Sequence, residues 1–443
     1  MTRAQQLHAL LQRSEEAFET RIERGIEDHR KGNFTLKLTD PAGNPIPGKI
    51  ELHQLDHDFN IGGNLFMLDQ METAEKNDKY RKYFAECFNT ATIPFYWNTL
   101  EPEKGKPRFA ADSPFIYRRP PIDPCVDFCE ENDIIPKAHC LNYDHFTPEW
   151  LLNKDVPTIK RALVHRFEEL ADRYANRIPC WEVFNELLCN NGATPFYQEE
   201  DLMKWSYAQA ERFFPGNELM MNESNWHIFT TGNHQHHSPN CWNPYYLLCK
   251  QAIDQGCRVD SIGMQFHYLV AANQAVNHAY AAFDLTHHFA ILDQFAKLGR
   301  PLQITEITFP AFDETPEDYA VQAEMMHLFY RVWFSHPAME GAIYWNLPDG
   351  YAYMAEPGDM STGENFARGG LLDFHLDPKP AYQALYDLFH KDYCTNVTAE
   401  LNEGSASFRG YFGKYRVEAG GKSAIVEFQR GAGTDQTVTL ANF

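Results

Sequence analysis

Leu7, Leu10, Leu11, Phe18, Ile22 and Ile26 recur at helical spacing among charged residues, and this pattern predicts an amphipathic helix over residues 3–31. Two stretches of alternating apolar and polar residues follow, Phe34–Leu38 and Lys49–Leu55. The turn between them is rich in Pro, Gly and Asn, which predicts a hairpin or a Greek-key pair. From residue 59 the texture changes to short apolar runs, each trailed by a longer helix-compatible segment. The runs are FNIGGNLF (59–66), CFNTATI (87–93), IIPKAHCL (134–141), CWEVFNE (180–186), LMMNES (219–224), SIGMQFH (261–267), QITEIT (303–308) and GAIYWNL (341–347). Eight strands alternating with helices predict an α/β fold of the (β/α)8 barrel type. An open doubly wound sheet is the alternative, but no G-x-G-x-x-G follows an early strand.

After a last helix within residues 379–393 the alternation returns in SASFRGYF, KYRVEAG, SAIVEFQR and QTVTLANF. Neither this tail nor the N-terminal strand pair is large enough to bury a core alone. They are therefore expected to pack together as a discontinuous β-sandwich beside the barrel. The division expected is residues 1–58 and 396–443 for this accessory unit and 59–395 for the barrel.

Composition narrows the ligands. A formal charge of −22 argues against nucleic acid and anionic membrane surfaces, which call for a basic face. No run of apolar residues is long enough to span a bilayer. The ten cysteines contain no C-x-x-C pair and several lie in apolar stretches, so buried free thiols in a reducing compartment are expected. With no apolar leader-like core near residue 1, the expected location is cytoplasmic, or secreted if a leader has been removed.

In a barrel, chemistry gathers at the C-terminal strand ends. Those ends carry Asn185-Glu186, Gln265 with His267, and Thr305-Glu306. Glu186 and Glu306 are 120 residues apart, three βα units, which places them across the barrel mouth. A lone strand-end Glu is most simply a salt-bridged structural residue. Two at facing strands are what cleavage of a glycosidic bond requires, one carboxyl protonated to assist the leaving oxygen and one ionised. Trp97, Tyr143, Trp150, Trp226, Tyr268, Trp345 and Tyr351 crowd the same ends, and their flat faces suit sugar rings. Trp181, Phe184 and Leu187 predict an apolar shell that keeps Glu186 protonated.

CWEVFNELL resembles the acid/base segment of family 10 glycoside hydrolases, Trp-Asp-Val-Val-Asn-Glu, and LQITEITF their nucleophile segment, Ile-Thr-Glu-Leu-Asp. AHCLNYDHFTPEW, NTLEPEKG, SIGMQFH and LDPKPAY are similar to further segments of that family, in the same order, from about residue 59 to 392. The resemblance implies a barrel without cofactor that acts on a β-glycoside, xylan-derived or related, by retaining double displacement. It assigns Glu306 as nucleophile, Glu186 as acid/base, and Asn185, His139, Gln265, His267 and Trp345 as shaping residues. The family's Glu-Asn-x-x-Lys-Trp, which grips the glycone sugar, is absent: TIPFYWNTLEP stands there, with Tyr96-Trp97 in place of Lys-Trp. Its strand-three Trp-His becomes Tyr143-Asp144, with His145 one step on. The expected sugar contacts are thus Tyr96, Trp97, Tyr143, His145 and Asn222, and the altered glycone pocket admits a non-xylan β-glycoside or a binding barrel without turnover as alternatives. Glu223 is expected to be an ion-pair partner. His234, His236 and His237 form a His-rich loop that, without an H-E-x-x-H or a carboxylate set, is read as non-metal.

Overall fold

A computed structural model of the protein describes residues 1–230 and 236–440. The N-terminal helix, Arg3–His29, begins with a reciprocal capping box between Thr2 and Gln5 and buries Leu7, Leu11, Ile22 and Ile26. Strands β1 (Lys31–Thr39) and β2 (Gly48–His57) follow. Eight parallel strands then close into a barrel: β3 (Asn60–Asn64), β4 (Thr90–Pro94), β5 (Ile135–His139), β6 (Cys180–Asn185), β7 (Glu218–Glu223), β8 (Ser261–His267), β9 (Leu302–Thr308) and β10 (Met339–Tyr344). β10 pairs with both β9 and β3, so the sheet has no free edge. Each of the eight predicted runs supplies one strand, and the open-sheet alternative is excluded.

Burial on both faces explains why these strands read as apolar runs rather than as alternations. Outside them, rings fill the gap to the helices: Phe266, Phe309, Phe329 and Trp333 lie with centroids 5.0 to 6.3 Å apart. Among the described residues no helix is long and apolar enough to cross a membrane.

The terminal strands form two facing sheets. One has β1 between β12 (Ser405–Tyr411) and β15 (Asp435–Thr439). The other has the order β11 (Asn396–Leu401), β2, β13 (Gly413–Ala419), β14 (Lys422–Phe428). Phe34, Leu36 and Leu38 meet Ile50, Leu52, Tyr415, Val417 and Phe428 in a core of their own, with Phe34 stacked on Phe428 at 4.1 Å. The sandwich is as expected, but the hairpin is not. β1 and β2 lie in opposite sheets, because each presents its apolar face into the same gap and they cover one another rather than pair.

The N-terminal helix also departs from the expected grouping with the sandwich. Its apolar face joins the barrel core, against the helix Pro316–Ser335. The buried Arg331 of that helix donates to Glu15, Glu19 and Glu23 at 2.6, 2.7 and 2.5 Å, carboxylates one helical turn apart. At the end of β2, His57 Nε2 donates to the Phe389 carbonyl at 3.0 Å, and burial pushes its pKa down to about 4. This joins the sandwich to the barrel.

Deleting residues 397–443 strips β1 and β2 of every described strand partner. The truncated chain is expected to melt at a clearly lower temperature and bind a hydrophobic dye; an unchanged melting curve would contradict the shared core.

Candidate active site

The barrel floor is ionic. Lys137 on β5 and Glu182 on β6 point into the closed interior, where β-strand alternation and closure leave them almost no solvent contact. Lys137 donates a very short hydrogen bond to Glu182 Oε1, and His139 Nδ1 lies 2.5 Å from Oε2. Burial would raise the carboxyl's pKa, but Lys137 and His139 outweigh it and bring it down to about 2. The other ring nitrogen of His139 meets the Tyr96 hydroxyl at 2.9 Å, so the buried charge sets the position of a cleft residue.

Above the floor, Glu186 follows β6 directly in a left-handed backbone conformation, φ 52°. Its N–H donates to the Asn222 carbonyl at 3.0 Å. Its carboxylate accepts from the Tyr143 hydroxyl at 2.6 Å and from Gln265 Nε2 at 2.8 Å. Glu306, within β9, accepts from the same Gln265 nitrogen at 3.0 Å, from Asn222 Nδ2 at 3.1 Å and from His267 Nε2 at 3.2 Å. One amide nitrogen therefore touches both carboxylates. Two contacts of 2.8 and 3.0 Å to a single atom hold the facing oxygens less than about 6 Å apart. Carboxyl groups of retaining glycosidases stand about 5–5.5 Å apart, whereas inverting enzymes need about 6.5–9.5 Å.

Burial and the neighbouring Glu186 raise the pKa of Glu306, against the opposing pull of His267 and His139. The His267 ring is buried too, which works against its charge, yet the bond to Glu306 leaves its pKa raised. Two of the three residues expected to form an apolar shell around Glu186 turn elsewhere. Trp181 packs on Phe214 and Phe184 on Tyr207, both in the layer outside the strands, and the contacts to the carboxylate are polar.

Gly263 explains how the residues beneath fit. A Cβ there would lie 2.6 Å from Asn222 Oδ1 and 2.8 Å from Thr305 Cγ2, so only glycine leaves room for the bond between these two.

Of the expected residues, Tyr96, His139, Tyr143, Asn185, Glu186, Gln265, His267, Glu306 and Trp345 line one cleft of about 290 Å3. Three do not. Trp97 begins a short helix that turns its ring away from the cleft, against Trp150, with its N–H donated to Glu101 at 2.8 Å. His145 stands exposed outside the cleft lining, 3.3 Å from the Cys189 carbonyl. Asn222 is fully buried below the cleft surface and positions Glu306 and Asn185 instead of meeting a ligand. Glu223 is not in an ion pair among the described residues; it accepts from the backbone N–H groups of Leu188 and Ser224, both at 2.8 Å.

Residues not anticipated include Phe66 and Phe146, which frame Tyr96, and Arg118, Arg119 and Glu364 on the same wall. Phe66 ends the first barrel run, so its place at a strand end could have revealed it; the arginines lie in a segment without periodicity.

Among the described residues one set of three potential metal-ligand atoms lies together, on Cys189, Glu223 and His227, all within 4.8 Å. Burial pushes the Glu223 carboxyl up to about 8, and its oxygens are already engaged by the two N–H groups. His234 lies outside the described residues. His236 stacks on His287 at 4.0 Å, in the first turn of the helix Leu285–Ala296 rather than with carboxylates of the cleft.

The family model for glycosyl hydrolase family 10 matches residues 57–388. Over 427 residues the chain is 23% identical to the anti-sigma-I factor RsgI6 of Acetivibrio thermocellus, covering 93% of this chain and 48% of that protein. It is 24% identical over 351 residues to endo-1,4-beta-xylanase B of Thermotoga neapolitana, covering 75% of this chain and 88% of that one. Against endo-1,4-beta-xylanase 1 of Arabidopsis thaliana it spans 37% of the relative's length. The fold is similar to that of xylanase 10B from Thermotoga petrophila RKU-1, solved with xylobiose: TM-score 0.57, 21% identity, 76% of this chain and 95% of that chain.

Two outcomes follow from the ionic contacts. Lys137→Met leaves the Glu182 charge buried without its cation and is expected to cost about 3–5 kcal/mol of stability in denaturant unfolding. In the wild type the Glu182 contribution is full above its unfolded value of 4.5 and is lost as pH falls toward about 2, so the deficit of the variant should shrink in acid. Asn222→Ala removes a donor from the ionised form of Glu306, so any activity that needs this carboxylate charged should show its acidic limb at higher pH. An unmoved limb in the kcat/KM profile would contradict the assignment.

Proposed function

The chain belongs to glycosyl hydrolase family 10, and from that premise we propose that it hydrolyses β-glycosidic bonds with retention, in xylan-derived or related oligosaccharides. The observation that carries this reading is the single Gln265 nitrogen shared by Glu186 and Glu306, which holds their facing oxygens closer than the carboxyl separation of an inverting mechanism.

In this mechanism Glu306 attacks the anomeric carbon while Glu186 delivers its proton to the departing oxygen. An ester between Glu306 and the sugar results. Glu186, now ionised, then takes a proton from a water molecule that attacks the same carbon from the face the leaving group vacated, and Glu306 departs as carboxylate. His267, Asn222 and Gln265 stabilise the Glu306 charge before attack and after release. Asn185 faces the cleft beside Glu186, placed to bond a sugar hydroxyl more strongly as positive charge develops at the ring.

A second reading, a carbohydrate-binding barrel without turnover, has one observation in its favour. The relative matched over 93% of this chain bears the name of an anti-sigma factor rather than a hydrolase. The intact pair of carboxylates and their shared donor weigh for catalysis.

Azide separates the roles. Glu186→Ala acting on an aryl β-glycoside with a good leaving group should form the ester with Glu306 and, with azide, release a β-glycosyl azide. Glu306→Ala should lose hydrolysis by several orders of magnitude and yield only the α-azide. Near-normal turnover in Glu306→Ala ends the assignment, and binding without aryl release across xylosides, glucosides and arabinosides selects the second reading.

A further inference from the structure

Arg118 and Arg119 close the Tyr96 side of the cleft. Arg118 takes a left-handed backbone, φ 59°, and Arg119 precedes Pro120-Pro121, which confines it to extended geometry. The Arg119 N–H is fixed to the Ile116 carbonyl at 2.9 Å. Both side chains are held in this way against the cleft and are only 3% and 6% exposed.

The groups in contact with them are aromatic rings and neutral hydrogen-bond acceptors. The Arg119 guanidinium lies 4.1 Å from the Tyr96 ring centre, 5.4 Å from Phe66 and 5.5 Å from Phe146; that of Arg118 lies 5.5 Å from Phe66. Arg118 donates to Asn346 Oδ1 at 3.0 Å and to the Tyr351 carbonyl, and Arg119 to the Arg118 carbonyl at 2.8 Å. The Nε atom of each is buried without a hydrogen-bond partner. Among the described residues no carboxylate forms an ion pair with either. Glu364, on the same wall, is engaged by the Asn346 amide at 3.1 Å.

Two like charges sharing one ring, desolvated and with no carboxylate in ion-pair contact, are costly in isolation. Other buried arginines show the alternatives: Arg331 is met by three carboxylates, and Arg30 by three carbonyls away from the cleft. Arg118 and Arg119 alone among the described lysines and arginines line the cleft. Burial brings Arg119 down to about 10, so it remains a cation at neutral pH.

Resting on the hydrolase reading, we propose that the Tyr96 side of the cleft receives a sugar bearing a carboxylate, a uronic acid residue, whose anionic group is held by Arg119 with Arg118 behind it. The planar fork of a guanidinium matches two carboxylate oxygens. Trp345 lines the cleft beside the two arginines and supplies a flat ring for a pyranose to meet. By resemblance this is the glycone end, where the family's Lys and Glu are missing and a cation is restored from a different loop.

The test is the ratio of kcat/KM for anionic to neutral substrates. The pairs are 4-nitrophenyl β-D-glucuronide against 4-nitrophenyl β-D-xyloside, and a glucuronate-bearing xylo-oligosaccharide against its unsubstituted counterpart. In at least one pair the ratio should exceed about tenfold, the scale of one charge-assisted hydrogen bond. It should fall with added salt, approach unity in Arg119→Met and be partly kept in Arg119→Lys. Neutral substrates cleaved as well as the anionic ones in both pairs, or a ratio indifferent to salt and to Arg119→Met, overturn the proposal and leave the hydrolase reading standing. If neither class is cleaved, calorimetry of the wild type with the two oligosaccharides decides. Tighter binding of the glucuronate by about tenfold keeps the anionic site without the hydrolase, and equal or absent binding overturns both.

Discussion

A single carboxylate sealed inside the barrel organises the cleft above it. Glu182 has no water to solvate its charge, so it exists as an anion only because Lys137 and His139 converge on it from the next strand. Such an arrangement adds little net stability, since the desolvation of three polar groups opposes the attraction between them. What it provides is position. His139, committed on one side to Glu182, presents its other nitrogen to Tyr96, and Tyr96 in turn stacks on Phe146 and under Arg119. A register slip of β5 against β6 would leave a bare charge in the interior, which penalises every alternative packing of these strands.

The same economy appears one layer up. Gln265 has one amide nitrogen and two hydrogens, and both carboxylates of the proposed reaction reach it. Their environments then diverge. Glu306 is enclosed by Asn222, Gln265 and His267, fixed donors that favour a localised negative charge. Glu186 sits at the end of a strand on a left-handed residue, with a phenol as its second partner. An enclosed, multiply bonded carboxylate opposite a less enclosed one is the asymmetry that the proposed nucleophile and acid/base require.

Much of this was legible from residue patterns. Eight apolar runs marked eight strands because two-sided burial suppresses alternation, and strand-end carboxylates at three-unit spacing located the pair that meets at Gln265. Alternation in β1 and β2 marked which face is buried but carried no information about the neighbour in the sheet, so a hairpin and a crossing between sheets looked alike. Trp97 was misplaced because the chain leaves β4 into a short helix, and one residue of rotation there sends the ring to the far side from Tyr96. Arg118 and Arg119 lie between β4 and β5 in a segment with no period, where nothing but contact in three dimensions identifies a wall residue. Glu182 was visible only as a letter inside a motif; its work depends on Lys137 in another strand.

The placement of β1 has a consequence for the order in which the molecule can be completed. Its two neighbours, β12 and β15, follow every barrel strand in the sequence and are made only after them. During synthesis β1 and β2 therefore emerge before the barrel and wait with open backbone edges while it is produced. The N-terminal helix, docked through Arg331, can settle only when the helix Pro316–Ser335 has been made, and so shares the delay. β1 and β2 thus leave the ribosome before the barrel yet find their places only after it, and the nascent chain carries an unpaired, apolar-faced strand pair throughout the making of the barrel.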